Sequence, residues 1–248
     1  MSEPLDLLAF GAHPDDVEIV CSGLVAKMAK MGYRVGVCDM TRGEGGSRGT
    51  PEQRVAESEK AAKVLGLTVR ENLKLPDTHL HADAEGYKAV AAIIRKHRPS
   101  VVVAPHWEDV HPDHVATSQL VTHGCYIAHF RKLAADGDEL HIPHAIIYYL
   151  QRVPVLPTFI VDISEVFDKK IESIACYESV FGPAEVLPAT DTSGGPKTIN
   201  RRLADFSEVN ARYWGSRINA RYGEAYLYRS FLRIDDPVSF FKQLPTRR

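Results

Sequence analysis

No two cysteines stand close enough to act together: the four, at positions 21, 38, 125 and 176, form neither a CxxC redox pair nor a zinc-ribbon spacing. They read as buried reduced thiols. No apolar run approaches the roughly 18 residues of a membrane span, and the acidic start, Met1 to Asp6, leads into an apolar run too short for a secretion signal. A cytoplasmic location away from membranes is expected. An excess of one charge is also missing: 30 Lys and Arg stand against 32 Asp and Glu, which gives no global attraction to nucleic acid or anionic lipid. Gly11-Ala12-His13 does not make the Gly-x-Gly-x-x-Gly fingerprint, and no Gly-Lys-Ser/Thr ending follows the Gly-rich tract at 43–49, so nucleotide binding is disfavoured. Internal repeats and low-complexity tracts are absent.

What remains is an ordinary globular composition, with 248 residues of which 44% are hydrophobic, enough for one full core. A single domain over 1–248 is the default, with a C-terminal helical extension around 200–248. Leu5 to Phe10 is a short apolar run ended by Gly11, which suits a buried central strand. Helical spacing from Val17 to Met31 follows, then a strand at 35–40, a helix at 51–65 closed by Gly66, a strand at 69–73, a helix at 84–97 and a strand at 101–104. This alternation predicts a doubly wound, mostly parallel α/β sheet of the Rossmann-like kind, with helices on both faces. A helix at 114–133, a turn-like Ala135-Asp136-Gly137-Asp138, strands at 145–150 and 159–163 and a helix from Ser164 to Ser179 complete this part. Beyond Gly182-Pro183 an irregular stretch runs to about Pro196. The helix expected over 200–222 places Leu203, Phe206, Tyr213, Trp214 and Ile218 on a packed apolar side and its arginines on the other.

Chemistry concentrates in two tetrapeptides. His13-Pro14-Asp15-Asp16 follows the first strand, and His111-Pro112-Asp113-His114 follows the fourth, both at the carboxyl edge of the sheet. With strand order 3-2-1-4-5 these strands are neighbours at the topological switch point, so the two motifs meet in one crevice. His13 with Asp16, and His111 with His114, are i,i+3 pairs that one helical turn can aim at one point. Imidazole and carboxylate suit zinc. Three ligands would leave an open catalytic position, whereas four would close a structural site. Spacing does not separate these, nor does it say whether Asp15 or Asp16 is a ligand or whether His111 binds metal or acts beside it. A helix entry alone accounts for either tetrapeptide, but less readily for both. His141 and His144 share the spacing but precede a strand, at the amino edge, and read as structural. Asp77, with His79 and His81 after it, borders the crevice as either a turn former or a substrate contact. The tract Thr41 to Thr50 reads as a mobile rim loop, and Arg54, one turn into the helix after it, as a candidate for an anionic or polyhydroxyl substrate.

Ala12-His13-Pro14-Asp15-Asp16-Val17-Glu18 resembles the signature of the LmbE-like (PIG-L) deacetylases, and the second motif agrees. Within that family the chain is most similar to the N-acetylglucosaminyl-malate deacetylases of bacillithiol biosynthesis, through 10–19, Leu73 to Asp77, Trp107-Glu108-Asp109, His111 to His114, 161–164 and 175–179. The resemblance runs through most of the first 180 residues and fades after Phe181. It implies that His13, Asp16 and His114 hold zinc, with iron(II) tolerated by the same ligands. Asp15 is then the general base, His111 stabilises the oxyanion, and Asp113 orients His111 from behind. Arg54 would grip the substrate through its malate carboxylates. The tract at 43–49 departs from the family by its extra glycines and Arg48. Family members are often homo-oligomers, which directs attention to the Arg-bearing C-terminal helix. A thiol-conjugate amidase or another amino-sugar deacetylase is the alternative within enzymes. A non-catalytic metal-binding protein, with all four side chains on the metal, is the alternative outside them.

Overall fold

Two strands, β1 (Leu7–Gly11) and β2 (Val35–Thr41), are buried along their whole length because the sheet around them is covered on both faces. The computed structural model describes residues 3–133, 139–182 and 199–243. The Ala135 to Asp138 turn, the irregular stretch over 183–196 and the side chain of Leu203 lie outside the described residues.

Five further strands complete the sheet: β3 (Val69–Leu75), β4 (Val101–Pro105), β5 (Ala145–Tyr149), β6 (Phe159–Asp162) and β7 (Gly223–Tyr228). Their order is β3-β2-β1-β4-β5-β7-β6. The first five run parallel in the 3-2-1-4-5 order that the sequence implies. The pairing Leu7↔Val101 puts β1 beside β4, so the loops leaving both strands open side by side.

One face of the sheet packs Leu8, Phe10 and Met40 against Ile94 of α4 (Ala84–His97) and Leu120 of α5 (Pro112–Ile127). The other packs Leu7, Ala9 and Val37 against Val17 of α1 (Asp16–Val20), Val25 of α2 (Ser22–Lys30) and Phe167 of α6 (Phe167–Ala175). Between β2 and β3, α3 (Pro51–Leu65) starts with a capping box from Thr50 and Gln53, Pro51 at its first position, and ends at Gly66 in the left-handed region. Those signals are all local, and the sequence-derived limits of this helix hold to the residue.

Five expectations are corrected, the first two by contacts from distant residues. The helix expected over 17–31 breaks at Cys21, because the Gly23 and Leu24 N–H groups donate to the Glu224 carboxylate at 2.9 and 2.7 Å. The helix expected to Leu133 stops at Ile127, where Arg95 donates to the carbonyls of Ile127, Ala128 and Phe130. The tract 200–248 is not simply a helical extension: α8 (Ile199–Ser216) ends early and β7 enters the sheet between β5 and β6. A short α9 (Pro237–Lys242), capped by Asp236, follows. Glu224 interrupts the apolar pattern of β7, and it is tolerated there because it caps α2 and pairs with buried Lys170 at 2.9 Å. Finally, α8 turns Ser207 and Ala211 inward and leaves Phe206, Val209 and Tyr213 exposed, since the small side chains allow close approach. The helix expected up to Ser179 begins at Phe167 and is interrupted before α7 (Glu178–Phe181).

Candidate active site

The two tetrapeptides arrive at one crevice. Ring centroids of His13 and His111 are 4.9 Å apart, and those of His111 and His114 are 4.7 Å apart. Asp16 sits between two of these rings, with Oδ2 3.4 Å from His13 Nδ1 and Oδ1 3.4 Å from His114 Nε2. The backbone N–H of His13 also donates to Asp16 Oδ2 at 2.9 Å. Arg54 Nη1 lies 4.0 Å from Asp15 Oδ2, and Asp77 Oδ1 lies 3.1 Å from His13 Nε2. By contrast, the backbone N–H of His144 donates to the Ser100 carbonyl and the His141 ring contacts the Pro99 carbonyl, just ahead of β4, at the far amino edge as expected.

Ligand atoms of His13, Asp16 and His114 all lie within 4.8 Å of one another, and so do those of His13, His111 and Asp113. The first set is the better donor set. In the second, Asp113 Oδ2 already accepts the Thr78 N–H at 2.8 Å, and His111 Nδ1 accepts the Asp113 N–H at 3.2 Å. The surrounding charge also fits a cation: Asp15, Asp16, Asp77, Asp109 and Asp113 outnumber the imidazoles among them. Protons take up that field here. Burial opposes a charged His13 ring, yet hydrogen bonds and charge from Asp16 and Asp77 raise its pKa to about 11. His114 is similarly lifted to about 9, against burial, by Asp16 and Asp109. Asp16 is held well below the carboxylate range by His114 and His13, although burial works the other way. A divalent cation would replace those protons.

Asp15, although buried like Asp16, differs from it in backbone, in partners and in the direction of its pKa shift. It is 8% exposed, has φ of 118°, and does not belong to either convergent donor set. Burial raises its pKa well above the usual range and the charge of Asp16 adds to this, against Arg54 and His13. A carboxylate that binds protons more tightly than usual is matched to proton transfer near neutrality. His111 goes the other way: burial and the neighbouring His114 and His13 lower its pKa. Because its Nδ1 accepts a backbone N–H, its neutral form carries the proton on Nε2, free to donate.

Arg54 is 7% exposed and lies beneath the Gly-rich loop. A Cβ at Gly43 would fall 2.4 Å from Arg54 Nη1, and one at Gly46 would fall 2.8 Å from Nη2. Those two glycines therefore make room for the guanidinium. The loop expected to be mobile is fastened by Gly45 N–H to Asp77 Oδ2 at 2.8 Å and by Arg48 Nη1 to the Val180 carbonyl at 2.9 Å. Asp77, read as either a turn former or a substrate contact, has its oxygens on the Gly45 and Thr78 N–H groups and on His13. The Asp113 carboxylate faces His13 at 3.4 Å, and only its backbone N–H reaches His111 Nδ1. Sequence reasoning missed Asp109. Its Oδ1 accepts the His111 N–H at 2.9 Å and lies 3.2 Å from His114 Nδ1, at ion-pair distance without hydrogen-bond alignment. Asp109 thus stands behind the His114 ring, on the side away from Asp16, where a carboxylate would orient that imidazole if it held a metal. Its signal was its place in the Trp107-Glu108-Asp109 stretch just before the second motif.

Residues 8–125 match the PIG-L family, described as GlcNAc-PI de-N-acetylase. The diacetylchitobiose deacetylase of Thermococcus kodakarensis is 27% identical over 233 residues, covering 88% of this chain and 80% of that protein. The 1D-myo-inositol 2-acetamido-2-deoxy-alpha-D-glucopyranoside deacetylase 2 of Catenulispora acidiphila is 28% identical over 179 residues, covering 58% of this chain and 59% of that protein. The crystal structure of the conserved protein TT1542 from Thermus thermophilus superposes with a TM-score of 0.82 at 34% identity, covering 93% of this chain and 98% of that one. With both tetrapeptides in one crevice and relatives matched over nearly its whole length, the chain belongs to the PIG-L (LmbE-like) family.

Proposed function

We propose that this chain is a zinc-dependent deacetylase that removes the N-acetyl group of an N-acetylglucosamine conjugate, with N-acetylglucosaminyl malate of bacillithiol biosynthesis as its substrate. One observation carries the proposal: His13, Asp16 and His114 converge as a donor set, while Asp15 and His111 stand beside it outside that set. Zinc held by the three, or iron(II) on the same ligands, would supply a Lewis acid that polarises the acetamide carbonyl and acidifies water. Asp15 takes a proton from the attacking water as the new C–O bond forms, and delivers it to the amine as the C–N bond breaks. His111 donates from Nε2 to the carbonyl oxygen as negative charge develops there. The products are acetate and the free amino sugar. Arg54, 4.0 Å from Asp15, is the candidate for an anionic aglycone. Among the described residues no helix is long and apolar enough to cross a membrane, and the exposed Phe206, Val209 and Tyr213 of α8 are the surface on which we expect self-association.

Amine release from a panel of acetamido sugars tests the substrate. The expected result is a kcat/KM for N-acetylglucosaminyl malate at least about tenfold above neutral conjugates such as diacetylchitobiose, lost in Arg54→Met, as befits a charge-assisted pair. Equal turnover of the neutral conjugates would remove malate as the aglycone. No amine from any member would remove the hydrolase.

A further inference from the structure

The helix that carries the candidate base and one metal ligand is too short to hold itself. It spans Asp16–Val20, has no side-chain N-cap, and starts after Asp15 at φ 118°. Five residues cannot offset the cost of helix nucleation, so its position is set by tertiary contacts. Lys170 and Ser207 reach the Glu18 and Ile19 carbonyls at 3.3 and 3.5 Å, and the Glu18 side chain, fully buried, accepts from the Arg70 guanidinium of β3. The same guanidinium donates from Nε and Nη2 to Asp39 of β2 at 3.0 Å, and from Nη2 to the Tyr177 hydroxyl at 2.9 Å.

Asp39 pairs with Gly11 across the sheet, level with the start of the first motif. It follows Val35 and Val37, buried apolar residues on the same face of β2. Placing two carboxylates and a guanidinium there costs desolvation that well-packed aliphatic side chains would avoid, so a stability role alone does not explain the cluster. Its geometry does. Arg70 bridges the two outer parallel strands to the one helix whose first turn holds Asp15 and Asp16.

Resting on the hydrolytic reading above, we propose that Arg70 is a positioning residue of the reaction: gripping Glu18 and Asp39 together, it fixes where α1 holds Asp15 over the crevice. It acts through Glu18 and touches neither substrate nor metal. Displacing a reacting group by about an ångström costs about 10²-fold in rate.

The test compares Arg70→Met, Arg70→Lys and Glu18→Gln with Ile94→Val, a core change on the opposite face. Arg70→Met is expected to lose about 10²-fold in kcat with KM within about threefold, and Arg70→Lys, which keeps the charge but not the planar fork, to lie between it and wild type. Hydrogen exchange at the amides of α1 should accelerate at least about tenfold in Arg70→Met while α4 and α5 keep their protection, and Ile94→Val should change neither kcat nor α1 exchange. If Arg70→Met fails to fold, the shape-preserving Glu18→Gln and Arg70→Lys carry the same comparison. Wild-type kcat in a folded Arg70 variant, or unchanged α1 protection, overturns the proposal. A wild-type protein that releases no amine from any substrate overturns the proposed function instead, and the exchange measurement still decides Arg70.

Discussion

Asp15→Asn should lower kcat by about 10²–10⁴-fold, the range for losing a general acid–base group, while metal content stays at the wild-type level. Asparagine keeps the shape and tolerates the left-handed backbone at this position, where φ is 118°. The loss is therefore chemical rather than structural. The expectation follows from the division between neighbours: Asp16 reaches both His13 and His114, whereas Asp15 has a raised pKa and faces Arg54 at 4.0 Å. Steady-state acetate release and metal analysis on one preparation check both halves. Retained turnover would take Asp15 out of the mechanism, and lost metal would make it a ligand.

His111→Ala should reduce kcat by about 10²–10³-fold, as for removal of one oxyanion donor, again with metal retained. This substitution separates the catalytic site from its main competitor, a closed structural site with all four side chains on the metal. His13, His111 and Asp113 do come within 4.8 Å of one another, so the competitor has a geometric basis. The hydrogen bond from Asp113 N–H to His111 Nδ1 argues against it, because it leaves the other ring nitrogen to donate. Metal lost with His111 would restore the closed site.

The parallel half of the fold was legible because its signals are local. Gly11, Gly66, Thr50 with Gln53, and the apolar runs of β1, β2 and β4 each define their element within a few residues. The meeting of the two tetrapeptides followed from strand order alone. The errors share another cause. The break at Cys21 and the end of α5 at Ile127 depend on hydrogen bonds with Glu224 and Arg95, and the entry of β7 on pairing with β5 and β6, all between residues far apart in the chain. Such contacts leave no periodic trace. The helical spacing of Phe206 and Tyr213 was real but misread, because the side chains that face the protein are the small Ser207 and Ala211.

In the site, residue types pointed to the His and Asp side chains that converge there, but not to the order of support behind them. Asp109 and Glu18 stand inside the stretches that carry the resemblance, but nothing local in the sequence links Asp109 to His114 or Glu18 to Arg70 and Asp39. Asp77 pointed to the crevice correctly, yet its oxygens bind the Gly-rich loop, Thr78 and His13. The extra glycines of that loop gain their reason only when Arg54 is seen beneath Gly43 and Gly46.

The most direct measurement is acetate release from N-acetylglucosaminyl malate by protein stripped with a chelator and then reloaded with zinc. About one zinc per chain should restore turnover that stripping abolishes, and His114→Ala should neither bind zinc tightly nor recover. Full turnover by the stripped protein, or by His114→Ala without metal, would contradict a metal-dependent deacetylase.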